Sequence, residues 1–262
     1  MTYQPFVPTG GLAGWRYLQG TLATQKAAFE RSALVQRDLD YFAENIGSVR
    51  TAEDLVRDFR LLSVALEAFG LSEDLGSKFL IRKVLEEGTI DPDALANKLS
   101  DRRYREFSKA FGFGDFPVPN TVLSDFPDRI AARYTDQAFE RAVGRSDESM
   151  RLALNAQREL GKVAEGTASE RTKWLTIMGT PPLRKVLEGA LGLPLSFGAL
   201  DLDRQLEVFR DRSRQAFGAE TVGDLVAPDT LDRILDRYTA LSGLAEFGGG
   251  AFSPALVLLR GF

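Results

Sequence analysis

Apolar residues recur at three- and four-residue intervals along almost the whole chain, and this spacing restricts the fold more than any other feature. Trp15, Leu18, Leu22 and Phe29 share one helical face, and Leu34, Leu39, Phe42 and Ile46 share the next. Leu55, Phe59, Leu62, Leu66 and Phe69 continue the pattern, and further segments follow around 174–178, 183–191, 202–209 and 231–241. No strict apolar–polar alternation long enough for a strand interrupts them before the last residues. The spacing predicts an all-α, multi-helix protein.

The punctuation between these segments is equally helical. Thr51-Ala52-Glu53-Asp54 reads as an N-cap with acidic residues in the first turn, where the helix dipole favours them. Gly70-Leu71 suits a left-handed glycine stop followed by an apolar residue. Ser72 is expected to cap a helix running through Phe79, Ile81, Val84 and Leu85. Asp91-Pro92 is expected to open the next one, with proline where its missing N–H costs nothing. Arg102 to Phe111 gives a further short helix. Gly10 to Gly14 is expected to be a hinge, and Gly112 to Asn120 a linker, since both are dense in glycine, proline or both.

A search for internal repeats finds shared signals in a shared order. Phe29-Glu30-Arg31 recurs as Phe139-Glu140-Arg141. Val64, Ala68, Gly70 and Leu71 are matched by Val186, Ala190, Gly192 and Leu193, and Pro92, Asp93, Leu95 and Leu99 by Pro228, Asp229, Leu231 and Leu235. Arg103-Tyr104 and Arg237-Tyr238 follow. The expected organisation is two related helical halves, an internal duplication with pseudo-symmetric packing. The boundaries are an arm at 1–13, a first half at 14–116, a linker at 117–124, a second half at 125–243 and a glycine-hinged tail at 244–262. Helices in general share leucine spacing and caps, so coincidence is the competing explanation.

The 262-residue chain has no histidine and no cysteine. It therefore has no disulfide, thiolate nucleophile, Cys-ligated zinc or Ser-His-Asp triad, and lacks the commonest general base. A formal charge of −4 argues against a nucleic-acid partner bound through phosphate neutralisation. The longest aliphatic stretch near the C-terminus, Ala255 to Leu259, is too short to span a membrane. No secretory signal is visible in the first fifteen residues, so cytoplasmic residence is the default expectation and export by a signal-less route the alternative.

Candidate sites are few. Gly10 to Gly14 lacks the Gly-x4-Gly-Lys-Ser/Thr spacing and preceding strand of a phosphate loop. Glu86-Glu87, Glu73-Asp74 and Asp201 with Asp203 could hold a hard cation or serve as an acid–base couple, but solvated faces and caps are the favoured explanation. Asp101 to Arg105 is a basic cluster beside Tyr104, read as pairing with nearby carboxylates. The ends offer more: Phe6, Trp15 and Tyr17 near the N-terminus, and Phe252, Leu256 and Leu259 after Gly248-Gly249-Gly250. These six are the expected partner-binding residues, with self-docking of the tail as the competing outcome. No catalytic, cofactor-binding or metal-binding residue is assigned and no cofactor is expected.

The chain resembles a bacterial family known as domain of unknown function 1217. The resemblance is carried by Tyr41 to Ile46, Ala65 to Leu71, Arg82 to Gly88, Ala96 to Tyr104, Arg151 to Leu154 and Ala190 to Pro194, and it extends from the first helix to about Tyr238. Genes of that family often lie among those of the flagellar basal body, so the resemblance implies a role in flagellar assembly with basal-body components as partners. It also opens a flagellar route for signal-less export. It implies no catalytic residue. The leading expectation is a non-enzymatic helical interaction protein, an accessory or assembly factor in flagellar biogenesis. A carboxylate-based metal-binding protein or enzyme, and a helical peptide-binding chaperone, are the alternatives.

Overall fold

The computed structural model describes residues 3–247, and these are all-α: fourteen α-helices and three short 3₁₀ turns. Among them, 3–5 and 24–141 form one compact unit, and 6–23 and 142–247 form another. The first helix, α1 (Gly11–Glu30), and the eighth, α8 (Phe126–Gly144), each pass from one unit into the other.

In the first unit the chain continues through α2 (Ala33–Ile46), α3 (Ala52–Arg57), α4 (Phe59–Ala68), α5 (Lys78–Glu87), α6 (Leu95–Lys98) and α7 (Arg102–Phe111). The Thr51 hydroxyl accepts from the Asp54 N–H, while the Asp54 carboxylate accepts from the Thr51 and Arg50 N–H groups, so the expected cap is a reciprocal capping box. Asp58 starts α4 by accepting from the Arg60 and Leu61 N–H groups. Phe42, Leu62, Leu66, Ile81, Val84 and Phe107 are fully or nearly fully buried in one core. Aromatic rings thread it: Phe69 meets Phe107 at 5.4 Å, Phe107 meets Phe111 at 5.0 Å, and Phe111 meets Phe126 at 5.1 Å. Edge and tilted contacts of this kind add to the area that the rings bury.

The second unit continues with α9 (Glu148–Glu165), α10 (Glu170–Met178), α11 (Pro181–Leu191), α12 (Leu202–Phe217), α13 (Val222–Leu225) and α14 (Pro228–Phe247). Helices α9, α11 and α14 pack on one another, and Trp174, Val186, Leu187, Phe209, Ile234 and Leu235 are buried. Thr221 and Asp224 form a second capping box with the same bonds as the first.

Helices α4 and α11 end alike. Gly70 and Gly192 lie in the left-handed region at φ 69° and 65°. The Gly70 N–H bonds to the Glu67 carbonyl and the Leu71 N–H to Leu66; the Gly192 N–H bonds to Gly189 and the Leu193 N–H to Glu188. Both are Schellman motifs, which satisfy carbonyls that a helix end leaves without partners.

Four local expectations are corrected. Ser72 does not cap α5: Ser72–Gly76 is a 3₁₀ turn, because the Ser72 hydroxyl is taken by the Glu67 carboxylate. Asp91-Pro92 does not open a helix. The Asp91 carboxylate accepts from the Asp93 N–H and the Asn97 amide donates to the carbonyls of Thr89 and Asp91, so side chains hold a turn until α6 begins at Leu95. Pro228 does open α14. Gly11 to Gly14 is the first turn of α1 rather than a hinge; a Cβ at Gly14 would sit 1.7 Å from the Thr9 carbonyl oxygen, so glycine there permits close packing. The glycine- and proline-rich segment 112–120 lies inside the first unit and is pinned there. Asp115 accepts from the Ile90 N–H and the Thr89 hydroxyl, and Asn120 donates to the Ala110 carbonyl. The tail after 247, with Gly248 to Gly250, Phe252, Leu256 and Leu259, lies outside the described residues.

The left-handed backbone at Gly70 makes a quantitative demand. A Cβ there meets nothing closer than 3.4 Å, so the cost of Gly70→Ala is conformational: about 1 kcal/mol lost in urea unfolding, with the structure otherwise retained.

Candidate functional site

The most heavily buried charge in the first unit is Glu67, in the last turn of α4. Its neighbours in sequence, Val64, Ala65, Leu66 and Ala68, are all buried, so the helix is enclosed on nearly every side and Glu67 is 4% exposed. A carboxylate at a helix C-terminus opposes the dipole, and burial adds a desolvation cost. Its partners offset both. Arg141 of α8 donates to Oε2 at 2.7 Å, and the Ser72 hydroxyl donates to the same oxygen. Burial, then the negative charges of Asp38 and Glu67, push the Tyr134 hydroxyl up to about 12. A carboxylate oxygen held by a guanidinium and a hydroxyl is engaged in structure, and Tyr134 stays protonated at neutral pH. The cluster is arranged to hold α8 against α4.

A shallow, open cleft of 370 Å³ lies along α2 and α4. The Tyr41 hydroxyl donates to Asp58 at 2.7 Å, and the Arg60 guanidinium lies 3.7 Å from the centre of the Tyr41 ring. The bond to Asp58 raises the Tyr41 pKa, with burial adding to it. Arg60 also donates to the Arg37 carbonyl. Tyr41 and Arg60 are thus engaged with Asp58, with each other and with the Arg37 carbonyl.

The acidic pairs are solvated faces and caps. Glu86 faces Arg82 and Glu87 faces Lys83, each four residues away. Asp201 caps α12 and Asp203 pairs with Arg171. Asp101 caps α7 and pairs with Arg103, as expected for the basic cluster. Arg103 also donates to the Gly70 carbonyl. Tyr104 is buried, and burial followed by its hydrogen bond to Asp74 raises it to about 12. In the second unit Arg237 donates to the Ala190 carbonyl at 2.7 Å, and burial raises Tyr238 to about 12. Among the described residues, no three Asp or Glu side chains converge in a way that could hold a metal ion, and no helix is long and apolar enough to cross a membrane.

Of the expected partner-binding residues, Phe6 and Tyr17 come together. Their rings meet edge-to-face at 6.0 Å, with Phe6 59% and Tyr17 40% exposed. Trp15 is only 2% exposed and belongs to the core of the second unit, because the face of α1 carrying Trp15 and Leu18 turns inward. Sequence reasoning missed Glu67 and Arg141. The available signal was a lone carboxylate inside the nearly unbroken apolar run from Leu61 to Phe69, where an amphipathic helix would show a polar face.

The described residues define an all-α protein. The chain belongs to the family described as "Protein of unknown function (DUF1217)", whose profile matches residues 68–231. It is also similar to a crystal structure of an Agrobacterium tumefaciens protein solved by a structural-genomics consortium. The two are 26% identical, with a TM-score of 0.72 over 94% of this chain and 100% of the other. No curated protein matches the chain.

Two outcomes follow from the buried groups. Arg141→Met leaves the Glu67 carboxylate buried without its guanidinium and should cost on the order of 1–3 kcal/mol. Glu67→Gln removes the charge itself and should cost less; urea unfolding of both orders them. Tyr104, Tyr134 and Tyr238 hold their protons more tightly when folded than the unfolded value of about 10. Their contribution to stability is therefore complete below pH 10 and is lost as pH rises from 10 towards 12. Tyrosinate absorbance should show at least three of the six tyrosines titrating near 12 in the native protein, and all of them near 10 in denaturant.

Proposed function

We propose that the protein is a non-catalytic helical interaction protein, an accessory or assembly factor in flagellar biogenesis whose partners are basal-body components. The observation that carries the interaction reading is the Phe6–Tyr17 pair. Two large rings stand exposed and in contact beside α1, where they retain apolar area that a partner can cover. The flagellar setting rests on the family resemblance. The chemistry is consistent with a binding role: the chain has neither histidine nor cysteine, and Asp54, Glu86, Glu87 and Asp203 serve in a cap or ion pairs.

Deletion of the gene from a motile host should reduce swimming, and the full chain used as bait should capture a basal-body component. A Phe6→Ser, Tyr17→Ser double variant should lose that capture while keeping its thermal midpoint, since both side chains lie outside the core. Normal swimming with no basal-body partner would overturn the flagellar reading. Undiminished capture by the double variant would overturn the assignment of the surface.

A further inference from the structure

The order of elements repeats. Helices α1 to α7, with a 3₁₀ turn between α4 and α5, are followed by α8 to α14, with a 3₁₀ turn between α11 and α12. The details that set this order repeat with it. The Schellman stop at Gly70-Leu71 has its counterpart at Gly192-Leu193. The next long helix ends on a positive-φ glycine in each case, Gly88 after α5 and Gly218 after α12. The arginine of the Arg-Tyr pair then reaches back to the end of the stopped helix, from Arg103 to the Gly70 carbonyl and from Arg237 to that of Ala190. The Pro-Asp match alone fails to carry across, since Pro228 opens a helix and Pro92 does not.

The two first helices do not stay with their own half. Residues 6–23 of the first half belong to the second unit. There Arg16 pairs with Asp236 of α14 at 3.0 Å, and Gln19 bonds to Gln157 of α9 at 3.2 Å. Residues 126–141 of the second half belong to the first unit. There Phe126 packs on Phe111 of α7, and Arg141 pairs with Glu67 of α4. Helices α7 and α14 are counterparts, so each closing helix is partnered by the first helix of the opposite half. Inside the first unit the end of α1 meets α8 residue against counterpart. Lys26 pairs with Asp136, 110 residues on, and Phe29 packs on Phe139 at 5.7 Å, at the same spacing as the repeated Phe-Glu-Arg triplets. A residue meeting its own counterpart is the signature of an isologous contact between two copies of one element.

We infer that the chain is a duplicated helical unit whose two copies have exchanged their first helices, a single-chain form of a helix-swapped dimer. The partner chemistry of each first helix is therefore set by the opposite half: α1 carries the residues that fit α9 and α14, and α8 those that fit α4 and α7.

The cysteine-free chain makes the test direct. Cysteine pairs are placed at Gln19→Cys with Gln157→Cys, and at Glu106→Cys with Arg133→Cys, whose native side chains are 3.9 Å apart. A protease site is placed in the exposed stretch 116–118, and a short bis-maleimide is added to the native monomer before cutting. Both pairs should join the two fragments into one band on a denaturing gel. At the 110-residue spacing Ala23 occupies the place of Arg133. Ala23 and Glu106 precede the cut together, so an unexchanged α1 would link Ala23→Cys to Glu106→Cys within one fragment and leave the two fragments of both original pairs separate, and that separation overturns the inference. Hydrogen exchange on the unmodified chain reads the same point without mutation. Amides in 6–23 should open together with α9 and α14; opening in step with α2 to α7 overturns it.

Discussion

Each unit is organised around a long buried helix that must stop abruptly, and the carbonyls freed at that stop have to be satisfied before the chain can turn back. Gly70 and Gly192 meet this demand by entering the left-handed region, which brings the next two N–H groups onto the helix end. Leu71, now directed inward, is 1% exposed. An arginine from the unit's closing helix adds a charged donor to the same end, so the stop of α4 also fixes where α7 lies, and the stop of α11 where α14 lies. In the second unit the packing is close enough that a Cβ on Gly189 would come within 2.7 Å of the Tyr238 ring. The corresponding position in the first unit is Glu67, which uses the space for an ion pair with α8 instead. The position three residues before the glycine stop therefore serves ring packing in the second unit and charge pairing in the first.

The electrostatics follow from this use of charge as fastening. Surface ion pairs at three- and four-residue spacing, such as Arg82 with Glu86 and Arg204 with Glu207, contribute little individually and keep the helix faces solvated. Glu67 differs because it has left water. Its burial is tolerable only while Arg141 and Ser72 remain in place, which makes the position of α8 depend on a charge that α4 cannot expose. The buried tyrosines follow the same logic with opposite sign. Tyr104 and Tyr134 lie near carboxylates in surroundings that disfavour the phenolate, so they work as neutral hydrogen-bonding and packing groups across the physiological range.

Helix content, most of the stops and the Thr51 cap were legible because each is a local property: apolar spacing, a glycine before a leucine, an acidic first turn. The misreadings arose where another side chain claims the group that the local pattern relies on. Ser72 has the right identity and place for a cap, but a buried carboxylate five residues earlier competes for its hydroxyl. Asp91-Pro92 looks like a helix start, yet Asn97 draws two carbonyls into a turn. The segment 112–120 has the composition of a linker and the bonding of a packed loop, because Asp115 reaches backbone that lies far away in sequence. Burial of Trp15 beside exposure of Tyr17 could not be assigned from an aromatic cluster alone, since both lie on one helix and differ only in the face they occupy.

The pinned connector also sets where α8 begins. Asn120 holds the Ala110 carbonyl and the Thr121 hydroxyl donates to that of Val49, so the chain is still fastened to the first unit when α8 begins. Phe126 therefore enters beside Phe111, and α8 must start in the unit that α7 closes. Its nineteen residues rise about 28 Å at 1.5 Å each. With this connector Phe126 and Arg141 of α8 are committed to the first unit, while Arg16 and Gln19 of α1 bond to α14 and α9 in the second.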